Sequence, residues 1–235
     1  MPSYGRLNLD LLATWIDRDP ATDGHVWCLN LMKYREVAAY ADGGGGDAPV
    51  SGREADNRYS PVDVLEAIGA ELAYVADVER QTGSTPAWDR VAVARYATRR
   101  SFVEMNQRRD FQEKHVHKEA GLESTIILAT LPEGPTVAVD RDTVRAGTAV
   151  LRVARTGDGA PLATVPGAVR LATFGVEGVV IGDARTWNRV AYDLAPDPEV
   201  SEALLGPDPA AEEMFALAVR PRRDRLIASV DEFRA

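Results

Sequence analysis

Between His25 and Tyr34 the chain alternates Trp27, Leu29 and Leu31 with Val26, Cys28, Asn30 and Met32, which predicts a strand buried at least partly on both faces. The same reading predicts strands over residues 71–78, 88–96 and 124–131. Helical periodicity appears first over 7–16, where Leu11, Leu12, Trp15 and Ile16 share one side behind Asn8 as N-cap. Ser60-Pro61-Val62-Asp63 opens a second helix with a hydroxyl, a proline and an acid, and Gly69 ends it. Thr98 and Asp110 cap a broken helix running to about Glu119. The polar stretch 35–57, with Gly43-Gly44-Gly45-Gly46, predicts a long loop.

The chain then says nearly the same thing again. Gly69-Ala70-Glu71 followed by Trp88-Asp89-Arg90-Val91-Ala92 recurs as Gly175-Val176-Glu177 followed by Trp187-Asn188-Arg189-Val190-Ala191. Strands over 148–155, 176–183, 187–194 and 222–230, with helices opened by Asp197-Pro198 and Asp208-Pro209, repeat the order strand, helix, strand, strand, helix, strand. This predicts an α+β tandem duplication of a ferredoxin-like unit, with residues 1–132 and 147–235 joined by a linker over 133–146. Two four-stranded antiparallel sheets, each with helices on one face, would then pack their other faces together as an intrachain α/β barrel.

Composition narrows the classes of function. The chain has 235 residues, 45% hydrophobic and 27% charged, and no apolar run approaches the about 18 residues of a membrane span. Residues 1–20 lack a basic-then-apolar signal pattern. A formal charge of -9 with scattered arginines argues against nucleic acid as a partner. The single cysteine, Cys28, excludes an internal disulfide and suits the cytoplasm.

Asn30-Leu31-Met32-Lys33-Tyr34, Ser51-Gly52-Arg53-Glu54, Tyr59, Trp88-Asp89-Arg90, Arg109-Asp110-Phe111-Gln112 and Ala120-Gly121-Leu122-Glu123-Ser124-Thr125 stand together in the first unit. With them, residues 7–132 resemble a domain-of-unknown-function branch of the dimeric α/β-barrel superfamily. The second unit resembles it only through its glycine, its tryptophan and its element order. The resemblance implies cofactor-independent monooxygenases, isomerases, dehydratases or cyclases acting on aromatic or polyketide-like compounds. Some relatives bind haem. Relatives often carry a proline and tyrosine where Arg109 to Phe111 stand here, and a histidine-arginine pair in place of His117-Lys118.

Strand alternation gives an independent site prediction. With Trp27, Leu29 and Leu31 packed under the helices, Cys28, Asn30, Met32 and Tyr34 turn toward the seam between the sheets. On the third strand Val91 and Val93 then face the helices, while Trp88, Arg90, Ala92, Ala94 and Tyr96 face the seam. Asn30, Arg90, Tyr59 and Tyr96 are the candidate catalytic groups, and Cys28, Met32, Tyr34 and Trp88 the candidate substrate contacts. Asn30 and Arg90 satisfied by backbone or by Glu71 is the competing structural reading. In the second unit the equivalent face carries Arg152, Trp187, Arg189, Ala191 and Asp193, without an amide in place of Asn30.

Other constellations carry less. His115 and His117, two apart on a helix, cannot share a metal and read with Lys118 as a solvated face. Cys28 reads as a small buried hydrophobe, the glycine run lacks the lysine of a phosphate loop, and no cluster has zinc-ligand spacing. The expectation is a small-molecule enzyme without cofactor or metal, with a non-catalytic ligand-binding protein as alternative. A haem protein would have to use His25, His115 or His117. A small organic molecule is the expected partner, and a homodimer stays open.

Overall fold

The computed structural model describes residues 4–41, 48–83 and 86–233; the tetraglycine 43–46 lies outside them. β1 (Arg6–Leu7) and α1 (Leu9–Ile16) come first, and the Asn8 side chain caps α1 by accepting from the Leu11 N–H. A first half follows: β2 (Val26–Tyr34), α2 (Gly52–Arg58), α3 (Val62–Ala67), β3 (Glu71–Gly83), β4 (Arg90–Tyr96), α4 (Arg99–Gln107), α5 (Arg109–Gly121) and β5 (Leu122–Glu133). After α6 (Arg141–Ala146) come β6 (Thr148–Thr156), β7 (Val169–Gly182), β8 (Arg189–Ala195), α7 (Pro198–Leu205), β9 (Ala211–Asp224) and α8 (Leu226–Phe233).

Among the described residues the strands form one sheet of nine, ordered β5-β2-β4-β3 in the first half and β9-β6-β8-β7 in the second. Antiparallel pairings β3–β9 and β5–β7 join the halves edge to edge, so eight strands close into a barrel with β1 appended to β7. This is the α+β architecture that the dimeric α/β-barrel resemblance implies. Closure consumes both sheet edges of each half, so a homodimer would have to use other surfaces.

Which face of each strand points inward is the reverse of the expectation. Trp27, Leu29, Leu31, Val91 and Val93 fill the barrel interior with Leu151, Val153, Phe215 and Leu217 of the second half. Cys28, Met32, Tyr34, Ala94 and Tyr96 lie instead under the helices, against Trp15, Leu65, Phe102, Met105 and Phe111. Both faces of β2 are buried, so the period of two separates two sets of side chains without saying which set enters the barrel. The larger apolar set does. Trp88 and Trp187 both sit in that interior cluster.

Three segments also differ from expectation. Residues 52–58 of the predicted loop form α2, because Ser51 accepts from the Glu54 N–H in a capping arrangement. Asp208-Pro209 starts no helix, and its carboxylate accepts from Ala210 N–H just before the long strand β9. The predicted strand 222–230 is therefore the end of β9 followed by α8, which packs Leu226 and Val230 onto the interior. Thr98 caps α4, Asp197 caps α7 and Gly69 takes φ +69° as read, whereas Asp110 lies in the first turn of α5 behind Arg108 and the N-cap of α3 is Pro61 rather than Ser60, with no side-chain cap at either start.

Candidate functional site

On the first half, between the outer face of the sheet and α2, α3 and α5, lies a cavity of about 250 Å³. Of the predicted site residues, Asn30, Met32, Tyr59, Arg90 and Tyr96 line it. Cys28, Tyr34 and Trp88 do not: Cys28 is buried beneath the helices, Tyr34 borders a separate polar cleft with Arg35 and Arg53, and Trp88 is inside the barrel. Leu65, Leu72 and Val75 form apolar walls, and Ala92 and Ala94 leave room on β4. The site thus lies on the helix side of the sheet rather than in the seam.

Each polar group in the cavity has a distinct electrostatic situation. Asn30 donates from Nδ2 to the Cys28 carbonyl at 3.0 Å, leaving Oδ1 toward Lys118 Nζ at 3.4 Å. Arg90 is held on three sides, by Asp56 at 3.0 Å, Asn57 at 3.0 Å and Asp77 at 3.3 Å. Its partners are these rather than Glu71. Asp56 also accepts from the Tyr34 hydroxyl at 2.6 Å, and Asp77 binds Arg53 at 2.7 Å and Arg222 as well. Burial alone would raise the Asp77 pKa, but the hydrogen bonds and charges of these arginines hold it low. Arg90 is therefore a neutralised member of a network, a wall more than a free anion hook.

Lys118 is different. The sequence suggested a solvated face, yet it is buried, with Nζ 5.3 Å from the Tyr59 ring centre. The other two lysines, Lys33 and Lys114, pair with Asp89 and Asp63, whereas Lys118 has no salt bridge among the described residues. Burial lowers its pKa, against smaller opposing effects of Asp56 and Cys28. Burial likewise pushes the phenols of Tyr59 and Tyr96 up, so both stay protonated. An amine whose charged form burial disfavours thus shares a cavity with one neutral proton donor, Tyr59, while the Tyr96 hydroxyl donates to Met105 Sδ at 3.6 Å.

The sequence carried signals for the missed groups. Phe111, His115 and Lys118 recur at helical spacing on one side of α5, an inward stripe with the lysine at its end. Asp56 and Asn57 arrive on α2, whose start is the Ser51-x-x-Glu54 pattern. Gly52 and Gly121 let α2 and α5 approach, because a Cβ on Gly52 would strike the carbonyl oxygens of Gly121 and Arg35. Gly52→Ala is expected to lose about 1–3 kcal/mol in urea unfolding, the usual cost of overpacking. An unchanged midpoint would show that the backbone yields freely.

The histidines do not suit haem. His115 Nε2 hydrogen-bonds the Tyr4 hydroxyl at 2.8 Å, and burial lowers its pKa to about 4. His117 Nδ1 meets the Tyr40 hydroxyl at 2.8 Å, and His25 Nδ1 accepts from Arg95 at 3.1 Å. None of the three lines the cavity or the polar cleft. No group of His, Cys, Asp and Glu among the described residues could hold a metal ion, and no helix among them is long and apolar enough to cross a membrane.

The second half treats the equivalent place differently. Asn30 faces Ala92 in its strand pair, and Arg152 faces Ala191 at the same step of the second-half pair. Arg152 is buried, bound to Asp193 at 2.9 Å, to Asp208 at 3.1 Å and to the Ala163 carbonyl at 2.8 Å. Asp193 also binds Arg170. Charged side chains that bond one another fill the position.

No protein-family model and no curated protein matches the chain. Among solved structures it is similar to the RPA0582 protein of unknown function from Rhodopseudomonas palustris, at 25% identity and TM-score 0.47, over 57% of this chain and 99% of that one. It is also similar to an anthrone oxidase-like protein, at 13% identity and TM-score 0.49, over 86% of this chain and 94% of that one. A third is a putative monooxygenase from Lactobacillus acidophilus NCFM, at 10% identity and TM-score 0.38, over 85% of this chain and 94% of that one.

Proposed function

We propose that the first-half cavity binds a small organic molecule with an apolar body and a carbonyl, carboxylate or enol oxygen, and that the chain transforms it by proton transfer without a cofactor. The observation that carries this is Lys118, a buried amine without an ion partner among the described residues, in a cavity that joins apolar walls to polar groups. Isomerases, cyclases and cofactor-independent oxygenases of aromatic or polyketide-like compounds all begin with such a proton transfer. In this reading Lys118 receives the proton, Tyr59 donates a hydrogen bond to the developing oxyanion, Asn30 orients the amine, and Tyr96 is part of the wall. Arg90 keeps α2 and its Asp56 in place.

The non-catalytic alternative draws support from Asn30 and Arg90, both already bonded within the protein. Turnover of a bound compound separates the two readings. We further propose that residues 1–132 and 147–235 descend from one duplicated unit joined by 133–146, with the ligand site kept in the first.

Calorimetric titration with aromatic keto acids is the direct test. Lys118→Met and Ala92→Leu should each weaken binding, the former by about 1.5–3 kcal/mol, the range for a hydrogen bond to a charged group. Arg189→Ala, outside the cavity, should change nothing. Tight binding that ignores both cavity variants would overturn the proposal.

Lys118→Met should also raise stability. An amine whose folded pKa lies below its unfolded value binds fewer protons when folded, so folding is opposed as pH falls through the ordinary lysine range. The gain from the variant is therefore largest at neutral pH and vanishes above that range. Urea melts at both ends check this, and a destabilised variant at neutral pH would assign Lys118 a structural role.

A further inference from the structure

We infer that Lys118 forms an imine with the carbonyl carbon of its ligand, so that the cavity takes small, largely apolar aldehydes and ketones and holds them covalently during reaction. This rests on the cavity being a ligand site, and goes beyond it by assigning a nucleophile. A lysine acts as a nucleophile only as the free amine, which requires a site that withholds water and counter-charge. Lys33 and Lys114 fail that condition, each bound to a carboxylate. Lys118 comes closer to it: it has no salt bridge among the described residues, Met32, Leu65 and Leu72 line the same cavity, and the one carboxylate in that lining, Asp56, is engaged by Arg90 and the Tyr34 hydroxyl.

The chemistry balances with groups already present. The amine lone pair attacks the carbonyl carbon, forming the N–C bond while the carbonyl π pair moves to oxygen. That oxygen takes a proton from the phenol of Tyr59, whose ring centre lies 5.3 Å from Nζ and which burial keeps protonated. The nitrogen returns one of its protons to the phenolate, with Asn30 Oδ1 placed to accept a remaining N–H. The nitrogen lone pair then expels the carbinolamine oxygen, which takes a second proton from the Tyr59 phenol and leaves as water, and the iminium nitrogen gives a proton back to the phenolate. Amine and carbonyl give imine and water, and no oxidant or reductant is needed. Once protonated, the imine acidifies the adjacent C–H, which suits reactions that pass through an enamine.

The chain has three lysines, so the site of reaction can be read without ambiguity. The full-length protein is incubated at neutral pH with an aryl β-diketone, which gives a lysine enaminone visible in the near ultraviolet. A parallel sample receives benzaldehyde and cyanoborohydride, followed by peptide mass mapping. The expected result is one lysine adduct per chain, at Lys118, with none at Lys33 or Lys114 over the same time, since those two amines are tied to carboxylates. Lys118→Met and Lys118→Arg should both abolish it, the arginine guarding against a fold defect in the methionine variant. Labelling at comparable rates on all three lysines, or an adduct that survives both variants, would overturn the imine. Calorimetric binding of the β-diketone with no adduct would overturn the imine and leave the cavity reading standing. Absence of binding by the β-diketone and by keto acids alike would remove both.

Discussion

Asp193→Ala is expected to cost about 3–5 kcal/mol of stability, the penalty for breaking a buried ion pair by removing one partner. Arg152 loses the carboxylate that binds its Nε at 3.0 Å and its Nη2 at 2.9 Å, and its side chain is only 2% exposed. Asp208 remains at 3.1 Å, while Arg170 loses its carboxylate partner as well. Guanidine unfolding should show the loss in the midpoint at an unchanged slope. The triple variant Arg152→Met with Asp193→Leu and Asp208→Asn removes the three buried charges together and should recover most of it. If Asp193→Ala alone loses less than about 1 kcal/mol, the network is not the closed ionic plug described here.

Arg99→Ala is expected to be comparably damaging and to change the response to acid. Its guanidinium lies between Asp23 at 3.3 Å and Glu177, and Glu177 also accepts from Trp15 Nε1 at 2.8 Å. One cluster therefore ties α1, the start of α4 and β7 of the second half together. Burial alone would raise the Glu177 pKa, but the Arg99 hydrogen bonds and charge outweigh it and hold the carboxyl low. A depressed carboxylate contributes stability that is present above its unfolded pKa and is lost as pH falls through the folded one. Wild-type protein should accordingly lose this contribution only below about pH 4, the ordinary carboxylate range. Without Arg99 the buried carboxyls favour protonation, so the variant should be weakest near neutrality and close the gap as pH drops. Parallel acid titrations of the two proteins would show parallel curves if the cluster were energetically idle.

The element order of the first half and three of the helix caps were legible because each had a local cause, whereas the second half runs β6, β7, β8, α7, β9 without the α-helix expected after its first strand. Asn8, Thr98 and Asp197 read correctly as caps, since an oxygen one residue before a helix has few other uses. The facing of β2 was not legible, as a strand buried on both sides presents two apolar alternations and burial inside a closed barrel is a property of the whole sheet. β9 was missed for a related reason. Met214 to Val219 is a run of apolar helix formers whose strand identity comes from pairing with β3 and β6. Of the cavity groups, Asn30, Arg90, Tyr59 and Tyr96 were visible as residues placed on the wrong side of the sheet. Lys118 was hidden by its charged neighbours, Lys114 one turn earlier and paired with Asp63, and Glu119 next to it.

Closing the barrel within one chain also governs how the protein folds. The two seams differ in reach: β5 meets β7 over a short stretch of chain, Glu133 opposite Thr173, whereas β3 meets β9 with Tyr74 opposite Asp224, further apart in sequence than pairs within a half such as Trp27 with Thr130. Loop entropy must be lost before such contacts give anything back, which makes high contact order slow. By this argument the β3–β9 seam is the late event of folding, and the edges of β3 and β9 must be kept from other chains until they meet. Strengthening that seam would lengthen the lifetime of the finished barrel while leaving its rate of assembly nearly unchanged.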